Sequence, residues 1–110
     1  MVTVTFTRQG RSFQIDVCGH ARSAPRGEDL VCCAASTLAY TAAQSALQLY
    51  ETGVLEQFPE TEMNPGAAKV AAVATSEGLV RVEQMFATVC AGFELLAQQY
   101  PAYIQFGDQA

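Results

Sequence analysis

Apolar and polar residues alternate from the start of the chain, with Val2, Val4 and Phe6 on one side and Thr3, Thr5 and Thr7 on the other. A period of two with β-branched residues predicts a half-buried strand over Met1–Arg8. Gln9-Gly10 supplies a short turn, and Ser12–Val17 alternates again through Phe13, Ile15 and Val17, so the two segments are expected to form a hairpin. The alternation stops at Gly19–Glu28, which carries two Gly, one Pro, two Arg and the chain's one His. A loop of about ten residues is predicted there, a length at which loops tend to be functional. Asp29 has the form of an N-cap, and Leu30 to about Tyr50, rich in Ala, Leu and Gln, is expected to be helical with Gly53 as its stop.

The second half repeats this order loosely. Val54–Met63 fits no single element beyond a short strand near Glu60–Met63. Asn64-Pro65-Gly66 is a turn, and Lys69–Thr75 suits a strand despite its alanines. Ser76 is a candidate cap for a second helix over Gly78–Gln99, where Val82, Phe86, Val89, Phe93 and Leu96 recur at spacings of four and three. Pro101 ends it, and Ala102–Phe106 offers a short terminal strand. The order ββα-ββα-β predicts an α+β fold, a small antiparallel or mixed sheet with two helices packed on one face.

Composition narrows the class. A chain of 110 residues, half of them apolar and 15% charged, is expected to form a single domain, residues 1–110, with a packed core. Six basic against eleven acidic residues give a net charge of -5, so no direct binding of nucleic acid and no anionic-membrane contact are expected. Four arginines (Arg8, Arg11, Arg22 and Arg26) cluster in the first quarter and could form a local positive rim. The low-charge stretch Leu30–Tyr50 contains Ser, Thr and Gln and is mostly Ala, which argues against a membrane span. The N-terminus shows no signal-peptide pattern, and two of the four cysteines (Cys18, Cys32, Cys33 and Cys90) are adjacent. A reducing cytoplasmic location with free thiols is therefore expected.

Candidate chemistry concentrates between positions 18 and 36. If Asp29 caps the helix, Cys32 is its third residue, near unpaired N–H groups and the positive end of the dipole, both of which favour the thiolate. A neighbouring His20 could stabilise that thiolate and return a proton to a leaving amine. Ser36 lies one turn beyond Cys32 on the same face. Spacing does not bring His20 and Cys32 together by itself, and the bland alternative is a buried helix-start cysteine with an idle loop histidine.

The residues Gly19-His20-Ala21, then Gly27-Glu28-Asp29-Leu30-Val31-Cys32, then Ala34-Ala35-Ser36 carry a resemblance. They are similar to the signature of the bacterial ribosomal-processing cysteine proteases, the Prp family, and the resemblance extends to the Tyr100-Pro101-Ala102-Tyr103-Ile104 ending. It implies a thiol endopeptidase, active as a homodimer, that removes an N-terminal extension from large-subunit ribosomal protein twenty-seven before or during ribosome assembly. It places the nucleophile at Cys32 and the general base and acid at His20. Asp29 then takes a capping or His-orienting role and Ser36 a pocket role. The loop Arg22, Ser23, Ala24, Pro25, Arg26, Gly27 and Glu28 corresponds to the family's flexible loop and is expected to order over bound peptide. The oxyanion of the acyl-transfer step is expected to lie against N–H groups at the helix start.

The chain departs from the pattern at Cys33, where the family has Ala; a core role is expected for it, and also for Cys90. Cys18 alternates with His20 and could line the same pocket. A rival reading makes Cys18, His20, Cys32 and Cys33 zinc ligands, though adjacent cysteines suit one tetrahedral ion poorly. No metal or other cofactor is expected. The other alternative is a non-catalytic ribosome-assembly or peptide-binding module of the same fold, whose acidic surface attracts a basic partner.

Overall fold

In the computed structural model, which describes residues 1–19 and 26–109, the element order is ββα-ββα-β. Strands β1 (Val2–Gln9) and β2 (Ser12–Cys18) form the expected hairpin, with Val4 opposite Val17 and Phe6 opposite Ile15. Helix α1 (Arg26–Glu51) leads to β3 (Glu60–Asn64) and β4 (Ala67–Val73), followed by α2 (Leu79–Gln99) and β5 (Ile104–Gln109). The sheet order is β3-β4-β2-β1-β5. β5 runs parallel to β1 and the remaining pairings are antiparallel, so the sheet is mixed.

Alternation along the strands decides which face is covered. Val2, Val4, Phe13, Ile15, Val17, Val70, Ala72 and Ile104 are all buried on one side. Thr3, Thr5, Gln14, Asp16 and Lys69, on the other side, are partly open to solvent. Both helices pack on the apolar face, α1 mainly over β4 and β2 and α2 over β5, and they contact each other. α1 presents Val31, Ala35, Ala39, Ala42 and Ala46 to the sheet, and these short side chains let the helix lie close. By length and composition alone, Leu30–Glu51 passes as a membrane-crossing helix; in the fold its alanine stripe belongs to the core. α2 contributes Val82, Phe86, Val89 and Phe93, the stripe its periodicity predicts. The Phe86 ring stacks on Phe13 at 5.3 Å between centroids and meets Phe6 at 6.1 Å.

Four boundaries differ from the sequence reading. α1 begins at Arg26, so Arg26, Gly27 and Glu28, expected in the loop, form its first turn and Asp29 is its fourth residue rather than its N-cap. Acidic residues are enriched in first turns as well as at caps, so the same signal fits both positions. The α2 N-terminus is capped at Gly78 without a side-chain bond from that residue. It is Thr75 Oγ1, not Ser76, that accepts the Gly78 N–H at 2.9 Å. Ser76 instead accepts a bond from Arg11. The terminal strand starts at Ile104, and β4 starts two residues before Lys69.

Candidate active site

Cys32 is half-buried on α1 and packs against the core. It lines a small pocket of about 80 Å³ with Ala35, Ser36 and Ala39 of the same helix. The opposite walls come from Val2, Val17 and Gly19 at the β1–β2 end, and from Asn64, Gly66, Ala67 and Ala68 around the β3–β4 turn. Sheet register builds this meeting point. Cys18 pairs with Ala67, which sets the end of β2 beside the β3–β4 turn, and the Gly19 N–H donates to the Gly66 carbonyl at 2.9 Å.

Gly19 suits this position for two reasons. Its φ of +97° is a conformation that side chains disfavour, and a Cβ there would stand 2.2 Å from the Met1 carbonyl oxygen. The residue that follows it, His20, lies outside the described residues, as do Arg22, Ser23, Ala24 and Pro25. The chain thus leaves for the histidine from the wall of the pocket that holds Cys32.

Ser36 is exposed at the mouth of the pocket, one helical turn from Cys32. Because α1 starts at Arg26, Cys32 is its seventh residue, and its N–H belongs to the internal helical ladder instead of the unpaired first turn. The expected oxyanion donors at the helix start are therefore not next to the thiol. Among the described residues, Ser36 and Asn64 are the polar residues lining the pocket with Cys32, and Asn64, in register with Ala67 and Cys18, belongs to the sheet face turned away from the helices. Asn64 and Gly66 were legible in the sequence only as parts of a turn; the β2–β4 register gives them a place at the site.

The other cysteines separate from Cys32. Cys33 is exposed, contrary to the core role expected for it, since successive helical residues point about 100° apart and Cys32 takes the inward direction. Cys18 is exposed and stands on the opposite sheet face from its buried neighbour Val17, away from the helices, and does not line the Cys32 pocket. Cys90 is buried in α2, where burial first, and then the charges of Asp108 and Glu94, push its thiol up to about 12. All four cysteines are free, and among the described residues no three His, Cys, Asp or Glu side chains gather as a metal-binding group. The zinc reading thus loses Cys18 and Cys33 as partners of Cys32.

The sequence model of the family described as Cysteine protease Prp matches residues 1–105. The chain belongs to the cysteine protease Prp family. Solved structures share its fold at low identity. SMU.848 from Streptococcus mutans superposes with a TM-score of 0.72 at 21% identity, over 99% of this chain and 94% of that one. The ribosomal processing protease Prp from S. aureus, in complex with a substrate peptide, gives 0.73 at 14% identity over 99% and 100% of the two chains. The same protease with a covalently linked product peptide gives 0.73 at 18% identity, with the same coverage. No curated protein matches the chain in sequence. Family membership makes this a cysteine-protease chain, and Cys32 is the cysteine that its Prp-like motif and the pocket have in common.

Proposed function

We propose that this protein is a cysteine endopeptidase that removes the N-terminal extension of a large-subunit ribosomal protein precursor, ribosomal protein twenty-seven, during ribosome assembly. The observation that carries this reading is the pocket shared by Cys32 and Gly19, which brings the two halves of the Prp motif to one place. Its support in kind comes from the S. aureus protease, whose structures hold a substrate peptide and a covalently linked product peptide.

In this reading His20 takes the Cys32 proton, and the thiolate attacks the scissile carbonyl carbon to give a tetrahedral oxyanion. Collapse breaks the C–N bond, and the His20 imidazolium gives its proton to the departing amine. Water, deprotonated by His20, then attacks the thioester and releases the acid and the thiol. In this reading the Ser36 hydroxyl donates to the oxyanion. With the cap role gone, Asp29 is left the role of orienting His20. The enzyme acts as a homodimer in the cytoplasm, a reducing compartment that suits four free thiols.

The test is digestion of the cell's own ribosomal-protein precursor peptide, read by mass spectrometry, with the parent protein and the Cys32→Ala, Cys33→Ala and His20→Ala variants. One specific cut is expected, lost in Cys32→Ala and His20→Ala and retained in Cys33→Ala. A parent protein that binds the peptide tightly and leaves it whole would instead be a non-catalytic binding module.

A further inference from the structure

Strands β1 and β5 turn apolar residues toward the helices along most of their length, and each breaks that pattern once, at the same end of the sheet. Val2, Val4 and Phe6 of β1 lead on to Arg8. Ile104 and Phe106 of β5 lead on to Asp108, which the parallel register sets beside Phe6. Both charges therefore occupy helix-facing positions. Arg8 is matched: its guanidinium pairs with Glu83 of α2 and lies 4.8 Å from the centre of the Phe13 ring. Asp108 is exposed, and among the described residues no Lys or Arg pairs with it.

The facing wall is α2. Glu83, Ala87, Cys90 and Glu94 recur at spacings of four, three and four, a stripe directly beside the buried one of Val82, Phe86, Val89 and Phe93. It rises about 16 Å, the length of roughly five extended residues. Between this stripe and the strand ends lies a groove of about 400 Å³, with Phe6, Phe13 and Ala87 as apolar lining. Its charged groups are Glu83, Glu94, Asp108 and Arg8, three carboxylates against one guanidinium. Glu94 is exposed and, like Asp108, meets no Lys or Arg among the described residues. Burial, and then the charges of Asp108 and Glu94, keep the Cys90 thiol protonated, so both carboxylates act on one point of the lining.

Apolar lining beneath unmatched carboxylates suits a lysine or arginine side chain, whose methylene stem lies on carbon while its head stays with the acids. A wholly apolar segment would cover two carboxylates and leave them unpaired. The groove is separate from the Cys32 pocket, which is walled by Val2, whereas the groove begins at Phe6, about 13 Å farther along β1. A protein that lies against ribosomal RNA carries Lys and Arg to neutralise phosphates, so the substrate assigned above has the matching charge.

Resting on the endopeptidase reading above, we propose that the groove between α2 and the ends of β1 and β5 is a docking site for a Lys- or Arg-rich segment of the precursor, outside the stretch that is cut. Docking there raises the local concentration of the cleavage site at Cys32.

Two substrates separate this site from the Cys32 pocket: the full-length precursor, and a precursor peptide that ends just past the cut. Glu94→Gln combined with Asp108→Asn removes charge with little change of shape, and Ala87→Lys places a cation in the groove. Each variant is expected to lower kcat/KM for the full-length precursor about tenfold, mainly through KM, and to leave the short peptide unchanged. Added salt should shrink the difference between parent and variants. Thermal unfolding should not change, since all three residues are exposed. Equal kcat/KM for the full-length precursor in parent and variants overturns the docking site and leaves the endopeptidase reading standing. A loss of equal size for the short peptide overturns it too; if sedimentation shows the variants dissociated as well, the groove is a contact between two copies of the chain. Binding of labelled precursor to Cys32→Ala protein, read by fluorescence anisotropy, separates the two readings. A precursor that binds, weakens about tenfold with the groove variants and is never cut by the parent overturns the endopeptidase reading and keeps the docking site. A precursor neither bound nor cut overturns both.

Discussion

At Gly19, a positive φ and a missing Cβ are both required, because the Met1 carbonyl occupies the space a methyl group would take. Gly19→Ala is expected to cost about 2–4 kcal/mol in urea unfolding, through backbone strain and a clash that only a shift of β1 relieves. Peptide cleavage should fall as well under conditions where the variant remains folded, since the strand end before His20 moves with it. Cys90 makes a pH prediction. Its thiol ordinarily titrates near 9.0 and is held up to about 12 in the fold, chiefly by burial. Between those values the native state retains a proton that the unfolded chain releases, so the contribution is complete below about pH 9 and declines as pH rises toward 12. Urea unfolding at pH 8 and pH 10.5 should show a steeper alkaline loss for the parent than for Cys90→Ala. At this scale the sequence showed which residues matter better than what each does. Cys32 and Ser36 could be paired from helical spacing. The exposure of Cys33 and the place of Asp29 depended on where the helix begins, which an acidic residue near a first turn does not settle.

The two helices meet where α2 has Gly92 and α1 has Leu38. A Cβ added at Gly92 would stand 2.7 Å from Leu38 Cδ2. Gly92→Ala gains helix propensity of about 1 kcal/mol and asks a flexible side-chain end to shift, so the two effects nearly cancel. Gly92→Val adds branched bulk that Leu38 cannot clear without separating the helices, and a loss of about 2 kcal/mol is expected. Thermal unfolding of both variants checks this, and Leu38→Ala should relieve most of the Val penalty. The elements themselves were legible because periodicity is a direct record of burial. Val82, Phe86, Val89 and Phe93 define one face of α2, and Phe13, Ile15 and Val17 define one face of β2. What periodicity does not record is pairing. The parallel β1–β5 neighbourhood and the β2–β4 register come from chain crossing, and it is that register which brings Asn64 and Gly66 to Cys32.

Across the whole molecule, the chain closes on itself through β1, which lies between the hairpin partner β2 and the terminal strand β5. Val2 pairs with Ile104 and Val4 with Phe106, and the Val2 N–H donates to the Tyr103 carbonyl at 2.8 Å. Ile104 is 1% exposed and Phe106 packs against the same core, so β5 is part of the single buried cluster rather than an appendage. A chain ending at Tyr103 would lose both side chains, worth roughly 2–3 kcal/mol each on burial. It would also lose the ladder bonds on one edge of β1. That sum approaches the whole stability of a small domain, about 5–15 kcal/mol. The truncated chain is expected to lose its cooperative urea transition, or to keep it only at high protein concentration, where the uncovered β1 edge can pair with a second copy. Circular dichroism during urea titration at two protein concentrations separates these outcomes. A midpoint equal to that of the full chain at both concentrations would mean that the hairpin, β3–β4 and the helices fold without closure. In that case the Cys32 pocket, built from Val2 as well as from α1 and the β3–β4 turn, should survive the truncation.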